Sequence, residues 1–169
     1  MLSDSLVARL RGQFDTLSSL PCGVGSDVLD WRPSTGKWSV RENLAHLGRY
    51  HQVFLERIRR ILSEDHPTLT RYRAEDDREW PRWVTLSIDD LLGRIGTLRR
   101  ELTALINGLS DSELDRTGNH PLFGDLTVRR WIEFFLLHEA HHLYTMMNRL
   151  GEAALHFPAE SGRAPSASR

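Results

Sequence analysis

SVRENLAHLGRYHQVFLERIRRILS, residues 39–63, carries the clearest structural signal in the chain. Ser39 stands three residues before Glu42, the spacing of a capping box, in which each side chain satisfies a free backbone N–H at a helix start. Trp38 sits just ahead of the cap, and Val40, Leu44, Leu47, Phe54, Ile58 and Leu62 then recur every three or four residues. The pattern predicts a helix to about Ser63 with one apolar face, which must be buried against other elements.

Three further blocks repeat the pattern. Leu6, Leu10, Phe14 and Leu17 line one face from Ser3 to Ser19, and Pro21, Gly23 and Gly25 end that block. Ser87 caps a second, with Asp89 and Asp90 in its first turn, an apolar face from Ile88 to Ile106 and Gly108 as its stop. The last is expected from Thr127 to Leu150, closed by Gly151. Strand-like alternation is nowhere sustained. The fold class is therefore all-α, a four-helix bundle over residues 1–157 with long connections at 64–84 and 110–126 and a disordered tail at 158–169. The connection at 64–84 is interrupted by Pro67 and Pro81 and is expected to hold short helical turns at most. A loop of that length in a small domain is usually functional.

Length and charge narrow the function. The 169 residues, with 22 Lys+Arg against 23 Asp+Glu and a net charge of −1, make one ordinary domain. The balance excludes a nucleic-acid glove and a polybasic membrane binder. The arginines at 57–60, 71–73 and 99–100 alternate with acids and read as a mixed solvated surface. Charges at Asp4, Arg9 and Arg11 interrupt the start where a secretory leader needs an apolar run, so a cytoplasmic location is expected. A single cysteine, Cys22, excludes an internal disulfide and a thiolate metal site. The eight histidines are the more informative residues, because four fall between 120 and 142.

His138 and His142 are four residues apart, hence about 40° apart around a helix and about 6 Å apart along it. Trp131, Phe134 and Phe135 share their face, so the pair looks into the bundle. Two such imidazoles can grip one transition-metal ion if a third ligand is found. His138-Glu139-Ala140-His141-His142 also fits H-E-x-x-H, in which the glutamate is the general base of a metallopeptidase. The longer peptidase signature fails at Thr145 and Asn148, and no upstream sheet is predicted to form a substrate cleft. Periodicity offers a third histidine on the second helix in two ways. His51 projects almost onto the apolar stripe, whereas His46 lies about 120° from its centre.

The segment GKWSVRENLAHL at 36–47, followed by HEAHH at 138–142, resembles the DinB/YfiT-like superfamily of metal-binding four-helix bundles. Trp31-Arg32-Pro33, the HPLFGDLT stretch at 120–127 and Arg149-Leu150-Gly151 extend the resemblance over about residues 5–152. It implies His46, His138 and His142 as ligands of one divalent transition-metal ion, zinc or nickel foremost, with iron or manganese compatible. It also implies a small-molecule substrate, no nucleic-acid or membrane partner, and a homodimer. Some members are thiol S-transferases on low-molecular-weight thiols, some are assigned as metal-dependent hydrolases, and others have no known reaction, which leaves a non-catalytic, stress-related metal-binding bundle as the alternative. Around the ligands, Tyr50 and a hydrogen-bonded His51 are expected to line the pocket, and His141 to stand behind the ligands or at the surface. Glu42 and Glu139 are candidates for orienting a ligand or acting as base, Glu42 with the competing role of completing its cap. His66, His120 and His156 are expected to be ordinary exposed or loop positions. Cys22 falls in a Pro/Gly loop, so any thiol chemistry requires the thiol to arrive as a cosubstrate.

Overall fold

Ser39 begins its helix as the sequence requires: its Oγ accepts from the Glu42 backbone N–H at 3.2 Å, and the Glu42 carboxylate accepts from the Ser39 N–H at 2.9 Å. The computed structural model describes residues 1–157, so the expected tail lies outside the described residues. In chain order the elements are α1 (Asp4–Ser19), α2 (Ser26–Asp30), α3 (Val40–Ser63), a 3₁₀ turn (Ala74–Asp76), α4 (Trp80–Val84), α5 (Ile88–Asn107), α6 (Asp111–Leu114), β1 (Thr117–His120), β2 (Gly124–Thr127) and α7 (Val128–His156). The long helices α1, α3, α5 and α7 form the four-helix bundle. α3 packs on both α5 and α7, and α1 packs on those same two from its own side.

The core divides along the bundle axis. Leu10, Phe54, Ile58, Leu102, Trp131 and Phe135 fill one end, and Leu17, Leu44, Leu47, Leu91, Ile95 and Met146 the other. All are at most 1 % exposed, and each such burial contributes about 1.5–3 kcal/mol. Among the described residues no helix is long and apolar enough to cross a membrane.

Three expectations need correction. First, α7 does not stop at Leu150. Gly151 lies inside it, because Arg149 is buried, donates to the Trp38 carbonyl at 3.0 Å and pairs with Glu152, while Ala153 packs at 0 % exposure. These contacts outweigh the roughly 1 kcal/mol that glycine costs a helix interior. Second, the 110–126 connection contains a β-hairpin, with Thr117 opposite Thr127 and His120 opposite Gly124. Gly124 takes φ +68°, the left-handed conformation that closes the turn. The hairpin is tied to the preceding connection, where Asn119 N–H donates to the Pro67 carbonyl and Leu69 N–H to that of Asn119. At Gly118 a Cβ would lie 2.7 Å from Ile61 Cγ1, so only glycine lets this strand approach α3 so closely. Third, the arginine runs are not wholly solvated: Arg57 and Arg99 are buried, each held by partners described below.

The 64–84 connection holds the short turns expected of it. α4 sits flat on α3 because a Cβ at Gly48 would run into the Trp83 ring. That seat brings Trp80 against Trp38, with ring centroids 5.2 Å apart.

Candidate metal centre

Two helices supply the central side chains. His138 and His142 project from successive turns of α7, and His46 comes from α3, the helix packed beside it. Each of the three offers a ring nitrogen, and these nitrogens all lie within 4.8 Å of one another. The Nε2 atoms of His46 and His138 are 3.1 Å apart. Two nitrogens bound at 2.0–2.1 Å to one tetrahedral ion stand about 3.3 Å apart, so the spacing suits a shared ion. Only one hydrogen bond can form between the two Nε2 atoms, and the Nδ1 atoms of His46 and His138 are buried without a protein partner. Left to themselves, the rings do not satisfy one another.

Protonation state supports the same use. Burial lowers His46 to about 4 and, with help from the neighbouring imidazoles, lowers His142 to about 3 and His138 well below the ordinary value. All three rings are therefore neutral near pH 7 and keep a lone pair for a metal. Aromatic rings wall the cluster. Trp38 lies 5.0 Å from His46 and stacks on His142 at 6.3 Å, and Tyr50 lies 4.2 Å from His138.

Asn43 is a functional candidate that the sequence reading missed. It is 1 % exposed, and its Oδ1 lies 2.8 Å from His142 Nδ1. Its own Nδ2 donates to the Ser39 carbonyl at 2.7 Å, which fixes Oδ1 as the atom facing the histidine. His142 Nδ1 must then carry the proton, and Nε2 is left as the free donor atom. The capping region of α3 thus sets the tautomer of a ring on α7. The available signal was a polar side chain only about 60° from the centre of an apolar stripe.

The other expected residues separate. Tyr50 does line the cavity beside His46 and His138, a space of about 230 Å³ shared with Tyr72, Phe134 and the hairpin residues His120, Leu122 and Phe123. His141 is exposed and, with His142, Asn43 and Trp38, borders a second cleft on the far side of the cluster. His51 does not line the cavity. It is 0 % exposed in the core, with Nδ1 2.7 Å from the Leu47 carbonyl and Nε2 3.6 Å from Glu139 Oε1. Glu139 is likewise turned from the three rings: it pairs with buried Arg99 and accepts from Gln13 Nε2 at 2.7 Å. A glutamate so placed does not reach the rings as the H-E-x-x-H base would. Glu42 is taken up by its cap and by Arg32.

His120 is the opposite case, for it is 5 % exposed rather than an ordinary loop histidine. Its Nδ1 accepts from the Leu122 and Phe123 backbone N–H groups at 3.1 and 3.3 Å, so the hairpin turn buries the ring and points it at the cavity wall. No alternation in the sequence announced that hairpin. His66 and His156 remain at the surface, the former 3.0 Å from Asp125.

The geometry agrees with what the chain is similar to. Uncharacterized protein YuaE of Bacillus subtilis is 29% identical over 136 residues, covering 73% of this chain and 84% of the relative. A protein of Oceanobacillus iheyensis named "Putative metal-dependent hydrolase OB0782" is 28% identical over 122 residues, 71% of this chain and 69% of its own. Among solved structures, YfiT from Bacillus subtilis, described as a probable metal-dependent hydrolase with an unusual four-helix bundle topology, superposes with a TM-score of 0.74. That match has 21% identity and covers 91% of this chain and 86% of YfiT. The sequence from residue 9 to residue 146 matches the DinB superfamily, and the chain belongs to that superfamily.

Proposed function

We propose that the chain is a metal-dependent enzyme acting on a small molecule, with His46, His138 and His142 as ligands of one divalent transition-metal ion. The observation that carries this reading is the convergence of three neutral imidazoles from two helices on one point beside a cavity. His46, His138 and His142 would hold the ion through three neutral imidazoles, and the ion would supply Lewis acidity towards an oxygen or a thiol sulfur. The protein contributes the rest. Asn43 holds the His142 lone pair in place, burial keeps the three rings unprotonated, and Trp38, Tyr50 and Phe134 keep bulk water from the inner side of the cluster. Imidazole donors suit zinc and nickel foremost, with iron and manganese compatible.

The nucleophile is water or a low-molecular-weight thiol. The descriptions of the relatives favour hydrolysis, and the resemblance in sequence also favours transfer to a thiol. Cys22 is exposed and stands outside the cluster, so a reacting thiol comes from a cosubstrate. Exposed Leu137, Tyr144 and Met147 on one face of α7 support a homodimer. The test is turnover by metal-loaded protein: hydrolysis of a panel of esters and amides, and loss of an electrophile with and without bacillithiol, mycothiol or glutathione. Metal-dependent turnover in either assay is expected, and it identifies the nucleophile. Bound metal with no turnover in either would overturn the enzyme reading and leave the metal-binding bundle.

A further inference from the structure

The cavity beside the histidines is walled on its outer side by two arginines that differ from their neighbours. In the adjoining cleft, Arg49 pairs with Asp77, Arg60 with Glu64 and Arg73 with Asp76. Arg57 and Arg71 face both spaces, and among the described residues neither has a carboxylate within 4.0 Å. Arg57 is only 6 % exposed. A buried charge without a counter-charge is expensive, and it persists here on two neutral acceptors, the Tyr50 hydroxyl at 3.0 Å and the Thr70 carbonyl at 2.6 Å, and over the faces of the Tyr50 and Trp131 rings at 5.6 and 5.5 Å. Those bonds use two of the five guanidinium N–H donors. The lining of the cavity contains no acidic residue. Both arginines also lie close enough to His120 to lower its basicity further, after burial. Beside them, Leu122 and Phe123 expose 62% and 57% of their surface, an apolar lip next to a cationic wall.

We propose that this cavity receives the oxyanion end of the substrate, a carboxylate or phosphate on a small molecule, bound by Arg57 and Arg71 with the neighbouring apolar part against Leu122 and Phe123. The proposal names the substrate class of the reaction centre argued above and rests on that reading for its catalytic meaning. The anion site itself is built from side chains outside the three histidines. Guanidinium groups recognise planar or tetrahedral oxyanions through paired N–H donors, and in a cavity with no competing carboxylate such contacts are stronger than at an open surface.

Calorimetric titration of benzoate, phenyl phosphate and neutral benzamide into the protein, as purified and after zinc saturation, tests the proposal. At least one anion is expected to bind about tenfold more tightly than benzamide in both forms, and the stronger of the two identifies carboxylate or phosphate. Arg71→Gln changes an exposed side chain, and circular dichroism verifies its fold. It is expected to weaken the bound anion about fivefold and leave benzamide unchanged. Benzamide binding as tightly as both anions, no binding by either anion, anion binding only after zinc saturation, or unchanged affinity in Arg71→Gln would overturn it. Zinc uptake, measured on the same samples, separates this failure from failure of the metal reading.

Discussion

Neighbouring residues on α7 serve two polar clusters of opposite character. His138 and His142 face His46 and a cavity, while Glu139 faces Arg99, Gln13 and His51 inside the bundle. The second cluster balances its own charge: one carboxylate meets one guanidinium, and Arg99 also lies 5.1 Å from the face of Phe135. Its Arg99 and His51 retain unpartnered nitrogens, yet its ions are matched. The first cluster gathers three lone-pair donors with no acid among them. Burial alone does not separate the two. The difference lies in charge and convergence: the second cluster matches a carboxylate with a guanidinium, whereas the first brings three neutral ring nitrogens together with room for at most one hydrogen bond between the Nε2 atoms of His46 and His138.

Acid should give the largest effect, because it reaches both clusters. His46 and His51 at about 4 and His142 at about 3 lie below the 6.5 of an unperturbed histidine. The unfolded chain therefore takes up protons first as pH falls. Stability of the metal-free protein is full above about pH 6.5, declines below it, and levels off near the folded values of about 3–4. Urea unfolding at a series of pH values checks this, and the decline should be shallower in His142→Ala. A flat profile between pH 7 and 5 would contradict the burial of these rings.

Glu139→Ala separates the clusters. It strands the Arg99 charge in the core, at an expected cost of about 3–5 kcal/mol in urea unfolding, with metal per folded molecule unchanged. Loss of metal at unchanged stability would reverse the roles assigned to the two clusters. Asn43→Ala probes the support of the first cluster. Metal affinity measured by chelator competition should fall about 10–100-fold while helical content is kept. Unchanged affinity would mean that the His142 tautomer is set by something other than Asn43.

The bundle was legible because its signals are local. The Ser39–Glu42 box, the Ser87 cap and the Gly108 stop each mark a helix end without help from the rest of the chain. The end of α7 was not, since Gly151 is held in helix by packing of Arg149 and Ala153, which no local rule contains. The hairpin was hidden for a similar reason. Thr117–His120 and Gly124–Thr127 are too short and too polar to alternate, and they pair through backbone groups. His120 and Arg57 owe their burial to that hairpin and the 64–84 connection beside it, so their part in the cavity wall followed the same blind spot. Periodicity set His51 on the apolar stripe and the structure buries it in the core, but a core position is not a cavity position. His46 reaches α7 from the flank of the stripe, where the motif resemblance, and not the helical wheel, placed it.

Metal content of folded protein purified from zinc-supplemented cultures, measured by elemental analysis for the native chain, His46→Ala, His51→Ala and His142→Ala, tests the central claim most directly. One ion per chain is predicted in the native protein and in His51→Ala, with loss in His46→Ala and His142→Ala at unchanged helical content. Metal kept by His46→Ala and lost from His51→Ala, or a native protein that takes up none, would contradict the assignment of the three-histidine cluster.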